Sequence, residues 1–365
     1  MGGGTPEEHL LIILPWAKPT AQLEQIQEHH PKLKITYRQL TYTSSPWVSA
    51  EEIPRELYNS ATILATLVAL PPAPSDAPLL RYIHFFSAGT NHVSDHPIYT
   101  DTDITLTTSS GIHGPQISEW VLMTASGHSH MFRELLDFQR RKRWDKTDHF
   151  RSIHDMVGQR LGVLGYGSIG RQVARVGKAM GMDVIAYTAS PRKTKESKKD
   201  RGFIVPGTGD PDGDIPSEWY SGMDKDSLRH FLKQDIDILL ISVPLTKETT
   251  HFLAKEEFEI LGRTRNAFIS NISRGQIVQQ DDMIAALKKR PEDGGLRGAA
   301  LDVADPEPLP EDSELWDLPN VILTPHISGS GSAYVDRAFQ VLDLNLVHLE
   351  KGEKLINVVN RKRGY

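Results

Sequence analysis

Short apolar runs alternate with amphipathic stretches along most of the chain, and the runs fall into two series. Each run has the length and composition of a buried strand, whereas the stretches between them carry helical spacing or turn residues. This alternation predicts a parallel α/β architecture. The predicted strands cover residues 9–15, 33–40, 61–69, 81–89 and 104–111 in the first series, and residues 160–165, 183–188, 237–244, 266–273, 297–303 and 320–326 in the second.

A long amphipathic helix separates the two series. Apolar residues recur at roughly helical spacing from Ile117 to Phe138, and the basic stretch QRRKRWDK follows them. A second amphipathic helix is predicted for Ala333–Leu349, and we expect it to return to the first domain. The sequence therefore predicts one domain from residues 1–125 with 332–365 and another from residues 126–331.

Length and composition agree with two globular domains. A chain of 365 residues exceeds what one hydrophobic core usually serves. Hydrophobic residues at 39% and charged residues at 24% are typical of globular proteins and not of disordered chains. The formal net charge of −6 gives no electrostatic reason to expect nucleic acid as a partner.

Several kinds of site and location are disfavoured. Without cysteine the chain has no disulfide, no thiolate nucleophile and no thiolate metal site. We expect no histidine metal site either, because His128 and His130 lie two residues apart on a predicted helix, where side chains do not share a face. The longest apolar runs are too short to cross a bilayer and no secretory signal is recognisable, so we expect a cytoplasmic protein with no membrane partner.

The first chemical signal is the stretch LGVLGYGSIGRQVARVGKAMG, in which Gly165, Gly167 and Gly170 fit the pattern G-x-G-x-x-G. A buried strand precedes the glycines and an amphipathic helix follows them. This arrangement lets the backbone approach a pyrophosphate and directs the helix N-terminus at its charge. We therefore predict two Rossmann-like doubly wound domains with a cleft between them: residues 126–331 bind a dinucleotide, and the other domain binds the substrate.

The strand that ends at Thr188 carries information about the type of dinucleotide. An acidic side chain at this position would accept hydrogen bonds from the adenosine ribose of NAD, and threonine offers no charge for that task. Ser190, Arg192 and Lys193 follow, and they could donate hydrogen bonds to a 2′-phosphate. We therefore predict a preference for NADP(H), with NAD(H) possible. The alternative is that residues 192–201 are only a solvated charged loop.

The second chemical signal consists of three polar residues at strand ends. Arg274 follows one predicted strand, Glu307 lies a few residues after the next, and His326 ends a third. Ligands of an open parallel sheet bind outside the carboxyl ends of the strands, so we expect the three side chains to reach the same crevice. Taken singly, each has an ordinary explanation as a surface charge, an acidic turn or a loop residue.

Together these residues suit the reduction of a 2-oxo acid. His326 would be the general acid that protonates the carbonyl oxygen as hydride arrives, and the base in the reverse direction. Glu307 would favour the imidazolium and fix the orientation of the ring. Arg274 would bind the substrate carboxylate and polarise the carbonyl.

At these residues the chain resembles the D-isomer-specific 2-hydroxyacid dehydrogenases, from about Leu80 to about Asn345. The motifs that carry the resemblance are FFSAGTNHV, ISEWVL, GVLGYGSIGRQVA, SVPLTKETTHFL, NISRGQIVQQDDMIAAL, GAALDVADPEPLP and LWDLPNVILTPHISG. The resemblance implies NAD(P)H-dependent reduction of a 2-oxo acid to the D-2-hydroxy acid, with Arg274, Glu307 and His326 as the catalytic set.

Further cofactor contacts are implied by the same resemblance. Asp302 would hold the nicotinamide carboxamide, and Val243 and Pro244 would line the adenosine side. The remaining residues at which we expect cofactor contacts are Ser168, Ile169, Thr249, Ile272, Ser273 and Gly329.

The resemblance also implies a substrate contact in the first domain and a quaternary structure. The backbone of Ser87, Ala88 and Gly89 would meet the substrate carboxylate. Family members are commonly homodimers joined through the helix near Trp120–Phe138, so we expect a homodimer here.

The chain departs from the common family pattern in two places. The acid is missing at position 188, and YTASPR is similar to the NADPH-preferring glyoxylate and hydroxypyruvate reductase branch. Residues 202–232 form a longer connection than usual, which we interpret as a surface excursion without an assigned chemical role. The alternative function is a non-catalytic dinucleotide-sensing scaffold, similar to the corepressors built on this fold. Formate dehydrogenase is disfavoured because Glu307 is present.

Overall fold

The structure, a computed structural model, describes residues 8–40, 53–144, 150 and 153–364. The chain divides into unit 1 (Met1–Ile112 with Ser332–Tyr365) and unit 2 (His113–Gly331). We expected the first crossing after residue 125, inside a helix, but the structure divides the chain before that helix begins. The reason is that this helix packs along a second helix of unit 2 and so belongs wholly to that unit.

Unit 1 is built on a parallel sheet made from the first series of apolar runs. Its strands are β1 (His9–Leu14), β2 (Lys34–Gln39), β3 (Ile63–Thr66), β4 (Tyr82–Phe85) and β5 (Thr105–Thr108), and the helices before unit 2 are α1 (Thr20–His29), α2 (Glu56–Asn59) and α3 (Pro97–Thr100). The strand order is β2-β1-β3-β4-β5, and every neighbouring pair is parallel. β1 is buried along its whole length, as expected for a strand covered on both faces.

Unit 2 contains a larger parallel sheet made mainly from the second series. Its helices are α4 (Gly114–Ser129), α5 (Phe132–Arg140), α6 (Ser168–Ala179), α7 (Lys195–Lys198), α8 (Lys225–Leu232), α9 (Lys255–Arg265) and α10 (Gln280–Lys288). Its strands are β6 (Arg160–Leu164), β7 (Asp183–Thr188), β8 (Glu218–Ser221), β9 (Ile238–Ile241), β10 (Phe268–Asn271), β11 (Gly298–Leu301) and β12 (Val321–Leu323). The strand order is β12-β11-β10-β9-β6-β7-β8. From β6 the chain adds β7 and β8 on one side of the sheet and then β9 to β12 on the other, so the switch point lies between β6 and β9. Ligands of such sheets bind at this point.

Both faces of the unit 2 sheet are covered by apolar cores. Along β9, Leu239 and Ile241 belong to one buried cluster, while Ile238 and Leu240 belong to the cluster on the opposite face. Side chains alternate between the faces of a strand, so a strand covered on both sides must be apolar throughout. The prediction of two parallel α/β sheets is confirmed.

After unit 2 the chain returns to unit 1 through α11 (Tyr334–Lys351). His30, the C-cap residue of α1, is buried and contacts two carboxylates of α11. Its Nδ1 lies 2.7 Å from Glu350 and its Nε2 lies 3.1 Å from Asp343. Beyond α11, Val358 forms an antiparallel bridge with Thr107 of β5. Among the described residues, no helix combines the length and the apolar character needed to cross a membrane.

Two predicted features of unit 2 need correction. The single helix expected over Ile117–Phe138 is two helices, because Met131 adopts a left-handed conformation (φ 55°) between α4 and α5. The stretch 202–232 is not only a surface excursion, since it contains the edge strand β8 and the helix α8. α8 begins after Asp224, whose carboxylate accepts a hydrogen bond from the backbone N–H of Ser227 at 2.8 Å.

Candidate active site

The glycine-rich turn between β6 and α6 has the geometry that its sequence demands. Gly165 has φ +105°, and a Cβ atom added there would lie 2.6 Å from the carbonyl carbon of Ser242, so only glycine fits. A Cβ atom at Gly170 would collide with the backbone oxygen of Gly165. The absence of that atom lets α6 pack closely on the strand.

The start of α6 is open towards a ligand. Gly167 is the N-cap of α6 and provides no side-chain capping bond, and a Cβ atom at Gly167 would meet no heavy atom within 4 Å. Ser168 and Ile169 form the first helical positions, and Ile169 also packs against the core. Backbone N–H groups at such a helix start bind phosphate, so the residues present fit the pyrophosphate of a dinucleotide.

The loop after β7 exposes the polar residues that we expected to select the cofactor. Ser190, Arg192 and Lys193 are all exposed. The hydroxyl of Thr188 donates to the backbone oxygen of Ser190 at 2.8 Å, and Nη1 of Arg192 donates to the backbone oxygen of Ser197 at 2.8 Å. Side-chain hydrogen bonds to nearby backbone oxygens therefore hold the loop, while Arg192 and Lys193 remain accessible to an anion.

Five of the expected cofactor contacts lie in the loops that follow β9 and β10. Val243 is half-buried and Pro244 is exposed, whereas Thr249, Ile272 and Ser273 are buried. The hydroxyl of Ser273 donates to the backbone oxygen of Val243, and that of Thr249 donates to Pro244 at 2.7 Å. Both hydroxyls therefore hold the loops in place.

The loops after β10 and β11 bring Arg274 and Glu307 into the same region. A Cβ atom at Gly275 would collide with the backbone of Ala304, so the two loops are in close contact. Nη1 of Arg274 donates to the backbone oxygen of Ser273 at 2.7 Å. Burial lowers the pKa of the Arg274 guanidinium, and the negative charge of Glu307 partly opposes this effect.

The side chains of Glu307 and His326, which follow neighbouring strands, are in hydrogen-bond contact. The distance from Nδ1 of His326 to Oε1 of Glu307 is 2.7 Å. Burial raises the pKa of Glu307, but the hydrogen bond and charge of His326 and the charge of Arg274 outweigh burial, so the pKa lies below its usual value. Glu307 is therefore a carboxylate at neutral pH, and Nε2 of His326 is the ring nitrogen that the pair leaves for a substrate.

The backbone of His326 is held in a rarely populated conformation. Its φ is +54°, in the left-handed region that residues other than glycine seldom adopt. Its N–H donates to the backbone oxygen of Asp302 at 2.9 Å and to that of Thr324 at 3.0 Å. Such strain clusters at functional sites, where the surrounding structure enforces it.

Asp302 anchors the loop that carries His326. Its carboxylate is 1% exposed. Oδ1 accepts from the Thr324 hydroxyl at 2.6 Å and the Ile327 N–H at 2.9 Å, and Oδ2 accepts from the N–H and the hydroxyl of Ser328 at 2.9 and 2.5 Å. A carboxylate has about four acceptor positions, and these four donors fill them. The sequence did not predict Thr324 and Ser328 as supports, although polar residues on both sides of His326 were a usable signal.

Two other expected contacts are the backbone of Ser87–Gly89 and that of Gly329. In unit 1, Ser87, Ala88 and Gly89 follow β4, and the Ser87 hydroxyl donates to the backbone oxygen of Gly89 at 2.8 Å. In unit 2, the backbone oxygen of Gly329 accepts a hydrogen bond from Gln116 at 3.0 Å. The described part of the chain contains no group of three or more His, Cys, Asp or Glu side chains arranged to hold a metal ion.

The strand order of unit 2 and the glycine-rich turn at its switch point define a dinucleotide-binding α/β fold. A family model described as the NAD binding domain of D-isomer specific 2-hydroxyacid dehydrogenase matches residues 122–205 and 210–328. The chain belongs to the D-isomer specific 2-hydroxyacid dehydrogenase family, and the resemblance found in the sequence is confirmed.

Curated relatives and solved structures extend the similarity over most of the chain. A glyoxylate reductase from Thermococcus gammatolerans is 28% identical over 341 residues, which cover 87% of this chain and 89% of the relative. A glyoxylate reductase from Korarchaeum cryptofilum is 28% identical over 288 residues, 78% of each chain. The crystal structure of an NADPH-dependent glyoxylate/hydroxypyruvate reductase from Sinorhizobium meliloti, in complex with NADP and sulfate, has a TM-score of 0.71 at 23% identity and covers 98% of this chain and 100% of that chain. At that identity the structural likeness shows the shared fold.

Proposed function

We propose that this protein reduces a small 2-oxo acid, such as glyoxylate or hydroxypyruvate, to the D-2-hydroxy acid with NAD(P)H. The observation that carries the proposal is the 2.7 Å contact between His326 and Glu307, with Arg274 in the adjacent loop. Family membership and the curated relatives named glyoxylate reductase support the choice of reaction and substrate class.

Each of the three side chains has one task in this proposal. His326 donates a proton from Nε2 to the carbonyl oxygen of the substrate. Glu307 stabilises the imidazolium and orients the ring, and Arg274 binds the substrate carboxylate through its fork of donors. The reduced nicotinamide supplies the hydride when it is bound. The backbone of Ser87–Gly89 is our candidate for a second contact with the carboxylate.

Turnover by purified protein is the direct test. Glyoxylate, hydroxypyruvate, pyruvate, branched 2-oxo acids and aromatic 2-oxo acids should be compared by the loss of NADPH absorbance, and we expect the two smallest polar substrates to react best. His326→Ala should lower kcat by roughly 100-fold or more, because proton transfer is lost. His251→Ala is the matched control, since His251 is also exposed and has a positive φ of 50°.

The same assay separates this proposal from the non-catalytic alternative. A scaffold that only senses dinucleotides would bind NADPH or NADH but would reduce none of the 2-oxo acids. In that case His326→Ala would leave dinucleotide binding unchanged, and there would be no turnover to lose.

The cofactor is proposed to be NADP(H) in preference to NAD(H). The support is the absence of an acid in the loop from Thr188 to Thr194, together with the exposed cations Arg192 and Lys193. We expect a lower KM for NADPH than for NADH, and Thr188→Asp should reverse the order by repelling the 2′-phosphate. An unaltered enzyme with a clearly lower KM for NADH would contradict this part of the proposal.

A homodimer is proposed from the exposed apolar side chains near α4 and α5. Met123 is 62% exposed, Phe132 56% and Trp144 96%. Large apolar groups exposed together are typical of protein interfaces. Sedimentation should give twice the chain mass, and Phe132→Asp should shift the protein towards monomer by placing a charge in the interface.

A further inference from the structure

The connection between β7 and β8 includes residues 199–217, which we call the docking segment because they lie against α6. Arg171 of α6 is only 4% exposed. Its Nη1 donates to the backbone oxygen of Asp210 at 2.5 Å, its Nη2 donates to that of Lys198 at 2.6 Å, and its Nε lies 3.6 Å from the Asp200 carboxylate. One buried guanidinium therefore joins α6 to the start of this segment and to its middle at Asp210.

Two further residues of α6 hold the middle of the docking segment. The N–H of Gly209 donates to Oε1 of Gln172 at 2.6 Å, and Nη1 of Arg175 donates to the backbone oxygen of Gly209 at 3.2 Å. Polar side chains on one face of α6 thus fix the backbone next to Asp210. The position of Asp210 is therefore set by α6 and not by a free loop.

Asp210 in turn contacts the glycine-rich turn. Its carboxylate is 5% exposed and accepts hydrogen bonds from the N–H groups of Asp214 at 3.1 Å and Ile215 at 3.2 Å. The third donor is the phenol of Tyr166, at 2.7 Å. Tyr166 is the residue between the first two glycines of the turn.

The side chain of Tyr166 is fixed on several sides. It is 4% exposed, its ring packs edge-on against Trp219 with 4.9 Å between centroids, and the Arg171 guanidinium lies 5.0 Å from the ring centroid. Burial, and then the hydrogen bond and charge of Asp210, raise the pKa of Tyr166, so the phenol remains a neutral donor. The adjacent Gly165 and Gly167 have no side chains, so Tyr166 supplies the side-chain contacts of this part of the turn.

We propose that Asp210 is a positioning residue for the cofactor: through the hydrogen bond from Tyr166 it holds the glycine-rich turn in the conformation that receives the dinucleotide pyrophosphate. This inference rests on the proposed dinucleotide site. It assigns a task to the first part of residues 202–232, the long connection for which the sequence offered no chemical role. The pyrophosphate is common to NADPH and NADH, so the effect of Asp210 must be equal for the two cofactors.

The test compares Tyr166→Phe, Asp210→Ala and the double variant by equilibrium titration with NADPH and NADH, and by the kinetics of glyoxylate reduction. Each single variant should raise Kd for both cofactors by the same factor, about five- to tenfold, with kcat at saturating cofactor unchanged. The double variant should bind no more weakly than the weaker single variant, because both changes remove one interaction. Tyr220→Phe is the matched control, since its hydroxyl bonds Glu218 at the sheet edge, and it should leave both Kd values unchanged.

Three outcomes would overturn the inference. Unaltered Kd values in folded Tyr166→Phe protein would show that the turn does not depend on this hydrogen bond. Tyr166→Phe keeps the test valid if Asp210→Ala fails to fold. A loss confined to NADPH would place the effect at the 2′-phosphate. Additive losses would show that the two residues act separately. If the unaltered protein binds neither dinucleotide, the proposed function itself fails. That result differs from unaltered protein that binds both dinucleotides while the variants bind them equally well, which would contradict only this inference.

Discussion

Replacing Glu307 with glutamine tests the proposed delivery of a proton by His326. Glutamine keeps the side-chain length, and its amide oxygen can still accept the hydrogen bond from Nδ1, but it carries no charge. The substitution therefore removes the electrostatic stabilisation of the imidazolium while the ring keeps its acceptor. Because reduction requires a protonated imidazole, the rate should fall most where protons are scarce.

The size of the effect follows from the geometry of the pair. With 2.7 Å between Nδ1 of His326 and Oε1 of Glu307, the charge centres are about 4 Å apart, and Coulomb's law gives about 1–4 kcal/mol between water-like and near-surface dielectric constants. The two side chains are 45% and 41% exposed. Solvent screening therefore favours the lower end, about 1–1.5 kcal/mol. Since about 1.4 kcal/mol corresponds to tenfold in rate, kcat should fall roughly tenfold at neutral pH.

The assay is the rate of glyoxylate reduction at saturating NADPH, measured across a range of pH. The deficit of Glu307→Gln should grow as pH rises and shrink as pH falls, because protonation of the imidazole depends less on the neighbouring negative charge where protons are abundant. Glu353→Gln is the control, since it removes the carboxylate of another His–Glu pair, 3.7 Å from His348, in unit 1. A deficit that is the same at every pH, or no deficit at all, would refute the role given to Glu307.

Three further predictions concern the glycine turn, the anchor of the histidine loop and a buried acid. Gly165→Ala should lower the free energy of unfolding by about 2 kcal/mol because of its positive φ. Gly167→Ala should change the free energy of unfolding by less than about 0.5 kcal/mol, as judged by chemical denaturation. It should nevertheless weaken NADPH binding, because its Cβ atom would occupy open space where we propose that the pyrophosphate binds. Asp302→Asn should destabilise the protein without any cofactor by about 2 kcal/mol, and a purely cofactor-contacting role would predict no such loss. Burial raises the pKa of Glu257, but hydrogen bonds from two basic partners outweigh burial and hold the pKa below its usual value. The ionised side chain therefore stabilises the protein above the usual pKa, and this stabilisation is lost as pH falls through the folded-state pKa. Denaturation curves measured across this pH range should show a smaller loss of stability in acid for Glu257→Gln than for the unaltered protein.

The strands were predictable because buried parallel strands are continuous apolar runs. All eleven predicted strands are present. Within the described ranges one further strand, β8, was not predicted; it is a half-exposed edge strand of four residues in a stretch rich in glycine and proline. The break between α4 and α5 had no such signal. Methionine favours helices, so the left-handed conformation of Met131 comes from the packing of the folded chain.

The candidate site was predictable to the extent that topology determines it. Parallel strands present their carboxyl ends at one edge, which brings His326 and Glu307 together from β12 and the loop after β11. Contacts that depend on how loops fold back were not predictable. Asp210 and Tyr166 are 44 residues apart in the chain, and no periodicity connects an acid in a long loop with a tyrosine in a turn.

The chain order of the two units has a consequence for biosynthesis. One edge of β5 pairs with β4, and at the other edge Thr107 forms a bridge with Val358 and the backbone N–H of Val359 donates to the backbone oxygen of Leu106 at 2.9 Å. Every residue of unit 2 leaves the ribosome before these partners do. We therefore expect unit 2 to complete its fold during synthesis before unit 1 does, because the edge of the unit 1 sheet at β5 gains these partners only after unit 2 has been made.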